Sequence, residues 1–233
     1  MNTIRFVRLA TYVVCLALLV CIAFWIKPQY APSFPPLETW SMILGYLAYG
    51  CIGVTLLLGP IRAWLPARWA ALSGYLRRDM GILAGLAALL HVVLVFILFS
   101  GKPRLMLING GHDAPNSIYS MFFHAYASEG GFPYPNLSII GIANYLGLTA
   151  LVMVFGLWLT SSNKAVNWLG TPAWKRLHMS NPFLFILVAF HALIYIQSIK
   201  GHPHSLADIL WLAAAVLVVR GVSFVQKLRE RQK

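Results

Sequence analysis

Charged residues are scarce in this chain, and acidic residues are the scarcest. Only 10% of the 233 residues are charged, and Asp plus Glu number 6 against 18 Lys plus Arg. Hydrophobic residues make up 59%, and the mean hydropathy is +0.72. This composition excludes an ordinary soluble domain and predicts an integral membrane protein that contacts membrane lipid. The basic residues form short clusters between apolar runs, so we interpret them as topology signals and predict no nucleic-acid binding.

Cysteine is equally sparse. The 3 cysteines are Cys15, Cys21 and Cys51, all within apolar runs, where we expect them to behave as small hydrophobic residues. The sequence has no C-x-x-C or C-x-x-C-H motif, which excludes a disulfide framework, a C-x-x-C metal site and covalently attached haem. It also has no G-x-G-x-x-G motif, and therefore lacks the dinucleotide-binding fingerprint.

Long apolar runs are what the sequence has instead. Six of them have spanning length, at about 9–26, 42–61, 80–99, 139–160, 172–199 and 206–225. The first run resembles a signal peptide but has no cleavage site before Lys27, so we interpret it as a retained helix. The runs predict an all-α fold, a six-transmembrane-helix bundle that forms a single membrane domain over residues 1–233.

Basic residues predict the orientation of this bundle. They concentrate in alternate segments: Arg5 and Arg8; Arg62, Arg68, Arg77 and Arg78; Lys164, Lys175 and Arg176; Lys227, Arg229, Arg231 and Lys233. By the positive-inside rule these segments face the cytoplasm, so both termini are cytoplasmic. We expect the bacterial inner membrane. The 100–138 connection then becomes a long outer loop, and its length favours a functional role.

Three histidines fall within the predicted helices, where ionisable groups are functional candidates. His91 lies 13 residues after Arg78, and His191 lies 15 residues after Arg176, which predicts similar depth in two helices of the same direction. Two neutral imidazoles at one depth can supply both axial ligands of a low-spin haem, whereas zinc requires three or four close ligands. We therefore predict that His91 and His191 are the iron ligands of a haem b.

His178 shares the fifth predicted helix with His191. A second, inner haem would need a further ligand, because the same level of the third helix holds Arg77 and Arg78. On a straight helix the two histidines point about 140° apart, and Pro182 between them predicts a kink. The alternatives for His178 are an inner haem, a haem propionate, a quinone or a lipid phosphate.

Four more histidines, His112, His124, His202 and His204, lie in the predicted outer connections. No carboxylate or cysteine shares a diagnostic metal-ligand spacing with them, so ordinary exposed histidines are favoured over an external metal site.

The histidines also lie within stretches that resemble a known family. The segment LTSSNKAVNWLGTPAWKRLH, with His191 thirteen residues further on, resembles the ferric-reductase-like transmembrane domain family, in particular its MsrQ (YedZ-type) haem-binding membrane subunits. VTLLLGPIRAW and YLRRDMGILAGLAALLH are similar to the end of that family's second helix and to the R-R-x-x-G motif before its third-helix histidine. The resemblance covers residues 42–225. It implies that His91 and His191 bind haem and that His178 matches the family's remaining intramembrane histidine.

These patterns predict a b-type transmembrane electron-transfer protein, the electron-transfer subunit of an oxidoreductase system. Because the sequence shows no nucleotide-binding motif, we expect an external donor, either quinol or a separate cytoplasmic flavoprotein carrying flavin, and an acceptor on the outer side. Two alternatives are a transporter or channel that uses the histidines as a proton relay, and a structural membrane subunit. A relay would favour further acidic groups in the helices.

Overall fold

The computed structural model describes residues 3–30, 35–100, 118–124, 133–200 and 203–232. Within these ranges, 6 helices are long and apolar enough to cross a membrane: Arg5–Trp25, Pro36–Trp64, Leu72–Phe99, Ile139–Leu159, Thr171–Ser198 and Leu206–Glu230. The predicted all-α bundle of six spans is confirmed. Large apolar side chains cover the outward faces of the helices, where they contact lipid.

Several helices extend beyond the apolar runs that predicted them. Their bounds are α1 Thr3–Tyr30, α2 Pro36–Ile61, α3 Ala67–Ser100, α4 Ile118–Phe122, α5 Ile139–Leu159, α6 Asn163–Leu169, α7 Thr171–His178, α8 Asn181–Tyr195 and α9 Pro203–Arg231. A 3₁₀ turn, Arg62–Trp64, follows α2, and a π-helical turn, Ile196–Lys200, follows α8. Hydropathy detects only the part of a helix that lies in hydrocarbon, which is why α3 begins thirteen residues before its predicted start at 80.

The predicted helix at 172–199 is not continuous. It divides into α7 and α8 at Met179 and Ser180. Pro182 has no backbone N–H, so the carbonyl of His178 loses the donor that would continue the helix. At the start of α8, the Asn181 side-chain amide donates to the Thr55 hydroxyl of α2 at 3.0 Å. The distortion expected from Pro182 is present, as a division of the fifth span into two helices.

Small residues and α2 organise the core. Ala84, Ala150 and Ala189 are buried where helices meet, and such small residues allow close helix packing in membranes.

Tyr49 of α2 stacks on Phe185 of α8, with ring centroids 4.8 Å apart, and its hydroxyl donates to the Ile209 carbonyl of α9 at 2.9 Å. These contacts join three helices around one aromatic side chain.

An ion pair joins α1 to α3 inside the apolar layer. Arg8 Nε lies 3.2 Å from Asp79 Oδ2, and the side chains are 50% and 4% exposed respectively. Because a buried carboxylate needs a partner in such surroundings, this contact fixes α1 on the bundle.

The described part of the predicted outer loop at 100–138 packs on the start of α5. Two short antiparallel strands, β1 Phe123–His124 and β2 Tyr134–Pro135, follow α4. The Asn144 side chain of α5 donates to the Met121 carbonyl at 2.9 Å, and the Tyr145 hydroxyl donates to the Phe122 carbonyl. The segment Ile118–His124 is therefore held against the same helix that contacts His191.

Candidate functional site

His91 lies on α3 and is fixed by the backbone of α2. Its Nδ1 is 2.7 Å from the Ser41 carbonyl oxygen and 3.0 Å from the Ser41 hydroxyl. One turn further along α2, Gly45 faces the ring, and a Cβ placed there would lie 3.4 Å from Nδ1. The imidazole consequently rests against bare helix backbone.

His191 on α8 repeats this arrangement against α5. Its Nδ1 lies 2.8 Å from the Ala143 carbonyl oxygen. Gly147, again one turn further along, faces the ring so closely that an added Cβ would lie 2.8 Å from both Cε1 and Nδ1. The space at His191 is therefore the tighter of the two.

We call these two sets the histidine half-sites: His91 with Ser41 and Gly45, and His191 with Ala143 and Gly147. The helix pairs that form them, α2 with α3 and α5 with α8, have the most extensive packing in the described bundle. Each carbonyl acceptor lies within about five residues of the start of its helix, which is roughly 6–8 Å along the axis. The imidazoles therefore lie at the same level, near the end predicted to face outward.

The hydrogen bonds determine what each ring can offer. A carbonyl oxygen only accepts, so Nδ1 of each histidine carries the proton and Nε2 of the neutral ring presents a lone pair. Among the described residues, no hydrogen-bond partner meets Nε2 of either ring. An imidazole whose other nitrogen donates to a carbonyl is the arrangement in which histidine ligates metal, because that bond fixes both the tautomer and the ring orientation.

The two imidazoles come from separate helix pairs, α2 with α3 and α5 with α8, and both side chains are partly buried. Within the described ranges no group of three His, Cys, Asp or Glu side chains could hold a metal ion. A donor set of two neutral imidazoles suits the two axial positions of a porphyrin-bound iron better than it suits zinc.

A polar contact supports the His191 half-site from the side. The Tyr195 ring packs on the His191 imidazole, with centroids 4.9 Å apart, and its hydroxyl donates to the Asn144 side-chain oxygen. Asn144 is 4% exposed and also bonds the Met121 carbonyl of the outer segment. The surroundings of His191 are thus linked to the outer surface through Tyr195 and Asn144.

His178 belongs to a different part of the molecule. It ends α7, where its Nε2 lies 3.2 Å from the Thr160 hydroxyl and its ring stacks on Trp174 with centroids 4.3 Å apart. Trp174 Nε1 donates to the Thr160 carbonyl at 2.8 Å, so all three residues form one cluster at the end of α5. His178 also lies in electrostatic range of Arg77. The structure therefore separates it from the His91 and His191 pair.

The predicted outer histidines are not brought together in the described residues. His124 lies exposed on β1, with its ring 5.2 Å from that of Tyr134. His112, His202 and the side chain of His204 lie outside the described residues.

Comparison with known proteins gives one partial match. No protein-family model matches the chain. Over 81 residues it is 33% identical to Magnetosome protein MamZ of Magnetospirillum gryphiswaldense. The match covers 35% of this chain and 12% of that protein, so the chain spans a small fraction of the relative.

Sequence reasoning missed several residues of this site. Ser41 and Ala143 act through backbone carbonyls, which carry no signal of residue type. Asn144 was detectable, because an amide inside an apolar run requires a partner. Asp79, outside the half-sites, was detectable as an ionisable residue within a span, although it directly follows the basic residues Arg77 and Arg78.

Proposed function

We propose that the chain is a b-type haem-binding membrane protein of the ferric-reductase-like transmembrane domain family, similar to the MsrQ subunits, and that it transfers electrons. The observation that carries this proposal is the pair of half-sites, in which two imidazoles at one level each have Nδ1 bonded to a carbonyl and an Nε2 that no described residue bonds. A haem held there would supply one-electron redox chemistry.

In this proposal His91 and His191 are the axial ligands and the remaining half-site residues orient them. The carbonyls of Ser41 and Ala143 hold the protons on Nδ1, which makes Nε2 the more basic ligand atom. Gly45 and Gly147 let each ring approach the neighbouring helix closely. The protein would thus hold the two Nε2 atoms in fixed positions. This would keep the structural change that accompanies electron transfer small.

We further propose that electrons enter at the basic end and leave near the outer face. The half-sites lie toward the outer ends of α2 and α5, close to an acceptor on that side. The donor is quinol or a separate flavoprotein, and the basic residues at the opposite end would attract an acidic partner in a salt-dependent manner. His178, at that end, is proposed to contact a second haem or a quinone. The proposed location is the bacterial inner membrane.

A proton relay is less well supported by the geometry. Asp79 is a buried acid of the kind a relay needs, but its carboxylate is bonded to Arg8. It precedes His91 by twelve residues on α3, about 18 Å along the helix. Among the described residues, no hydrogen bond connects it to either half-site.

Haem content of purified variants tests the proposal. Wild-type protein in detergent should show a dithionite-reduced b-type spectrum, and His91→Gly and His191→Gly should each lose it. Added imidazole should restore the spectrum in these variants by replacing the missing ligand. His124→Ala is the matched control, since this exposed histidine lies outside both half-sites.

Haem retained in both folded glycine variants would overturn the ligand assignment. A wild-type protein that binds no haem under reconstitution would favour the relay or the structural subunit. For His178→Ala, we expect the spectrum of the His91 and His191 pair to survive, with any second redox component lost or shifted. Reduction by quinol or by an added flavoprotein, but not by NADH or NADPH alone, would support the proposed donors.

A further inference from the structure

Three arginines from three different elements converge at the basic end of the bundle. Arg62 begins the turn after α2, Arg77 lies in the second turn of the α3 apolar span, and Arg220 lies within α9. Arg77 is in electrostatic range of both Arg220 and Arg62. We call these three residues the arginine cluster.

Glycines bring two of these guanidinium groups close to helix backbone. A Cβ on Gly59 of α2 would lie 3.5 Å from Arg77 Nη1, so Arg77 lies across the end of α2. A Cβ on Gly74 of α3 would lie 3.9 Å from Arg62 Nη1, so Arg62 lies across α3 in return. Each of these two guanidinium groups therefore lies close to the backbone of the neighbouring helix.

A bound anion would stabilise this cluster, because three like charges repel one another. In the described residues none of the three guanidinium groups forms an ion pair with a carboxylate. Asp79 is occupied by Arg8. Asp208 and Glu230 lie twelve and ten residues from Arg220 along α9, about 18 and 15 Å away. A bound anion would therefore supply a balancing charge that the described acidic side chains do not.

The position of the arginine cluster indicates which anion this is. All three residues lie inside or at the edge of membrane spans, with Arg62 and Arg77 exposed on the outside of the bundle. Trp64 is two residues from Arg62, and its indole N–H donates to the Gln226 side chain at 3.0 Å. Tryptophans of this kind mark the headgroup layer, where lipid phosphates lie.

We propose that the arginine cluster binds the phosphate group of an anionic phospholipid. A guanidinium presents paired N–H donors that match two phosphate oxygens, and three of them can surround one phosphate. Arg78, the next residue on α3, is different, because its guanidinium already donates to the Asn163 side chain at 2.7 Å. It therefore provides a control with the same charge and nearly the same position.

Native mass spectrometry of the detergent-purified chain, titrated with phosphatidylglycerol, tests the proposal. Arg77→Gln and Arg220→Gln should each weaken lipid binding by about tenfold, the effect expected for loss of one charge-assisted contact. Arg78→Gln should weaken it less than twofold. Arg77→Lys keeps the charge without the paired donors, and should fall between wild type and Arg77→Gln.

Further titrations identify the source of the phosphate. Phosphatidylcholine, whose headgroup is neutral overall, should bind at least tenfold more weakly than phosphatidylglycerol. Inorganic phosphate at millimolar concentration should not displace the lipid. Displacement by inorganic phosphate would show that the site takes free phosphate, and the lipid assignment would then be wrong. Equal effects of Arg77→Gln and Arg78→Gln, in variants with unchanged thermal unfolding, would show that these charges act only on topology.

Discussion

Replacing Gly147 with alanine should damage one histidine half-site, whereas the equivalent replacement of Gly45 should not. The added methyl at position 147 would lie 2.8 Å from two atoms of the His191 ring, closer than carbon atoms pack, so the ring must move. At position 45 the closest approach to His91 is 3.4 Å, an ordinary van der Waals contact. The same glycine-to-alanine change is therefore expected to be harmful at the His191 half-site and harmless at the His91 half-site.

The expected size of the effect follows from two opposing contributions. Overpacking costs about 1–3 kcal/mol, and alanine in place of glycine within a helix recovers about 0.5–1 kcal/mol. Gly147→Ala should therefore lose up to about 2.5 kcal/mol of stability and displace the His191 ring from the Ala143 carbonyl. Gly45→Ala should be neutral or slightly stabilising.

Thermal unfolding and the position of the Soret band, measured side by side, check this prediction. Gly156→Ala is the internal control on α5, because a Cβ there meets no atom within 4 Å and reports helix propensity alone. We expect Gly147→Ala to unfold at a lower temperature than Gly156→Ala and to bind haem less tightly. If Gly147→Ala matched Gly45→Ala in both measurements, the close approach of His191 to α5 would be refuted.

Three further predictions concern residues outside the half-sites. Tyr195→Phe keeps the ring on His191 but leaves a buried amide oxygen unpaired, so stability should fall by about 1–2 kcal/mol with haem content unchanged. Arg8→Gln should destabilise more than Asp79→Asn, by about 1–3 kcal/mol in denaturation, because it leaves the buried carboxylate without its partner. Gly85→Ala should lower the unfolding temperature without altering the haem spectrum, since its Cβ would lie 2.4 Å from the facing indole of α5.

Each of these predictions has a clear contrary result. Loss of haem in Tyr195→Phe would mean that the hydroxyl, not the ring, supports the ligand. Arg5→Gln serves as the control for Arg8→Gln, because both charges lie near the same end of α1. An equal loss of stability in these two variants would show that the ion pair does not contribute. An altered haem spectrum in Gly85→Ala would place the facing indole next to the cofactor.

The sequence predicted the architecture well, because hydropathy over about twenty residues depends on little except composition. It also selected His91 and His191, since ionisable residues are conspicuous in apolar runs. The ends of the helices were harder to predict from the sequence. For example, α3 begins at Ala67, because the helix continues through aromatic and basic residues outside the apolar layer. The division between α7 and α8 had only Pro182 as a signal.

The half-sites themselves could not be predicted in detail. The acceptors at Ser41 and Ala143 are carbonyl oxygens, and every residue has one, so only the packing of helices identifies them. Gly45 and Gly147 were visible as glycines, but eighteen glycines occur in the chain and nothing in the sequence indicates which ones face a histidine. The arginine cluster was only partly visible, because Arg62 and Arg77 share one basic segment whereas Arg220 is far from them in sequence.

The way in which each histidine meets its carbonyl also bears on how the protein is made. Ser41 and His91 are 50 residues apart, and Ala143 and His191 are 48 apart, so each contact forms between spans that leave the ribosome close in time. The first pair of spans can assemble in the bilayer before the second has been synthesised, and each imidazole enters lipid with one nitrogen already satisfied. A cofactor bridging the two pairs would then fasten one assembled pair of helices to the other.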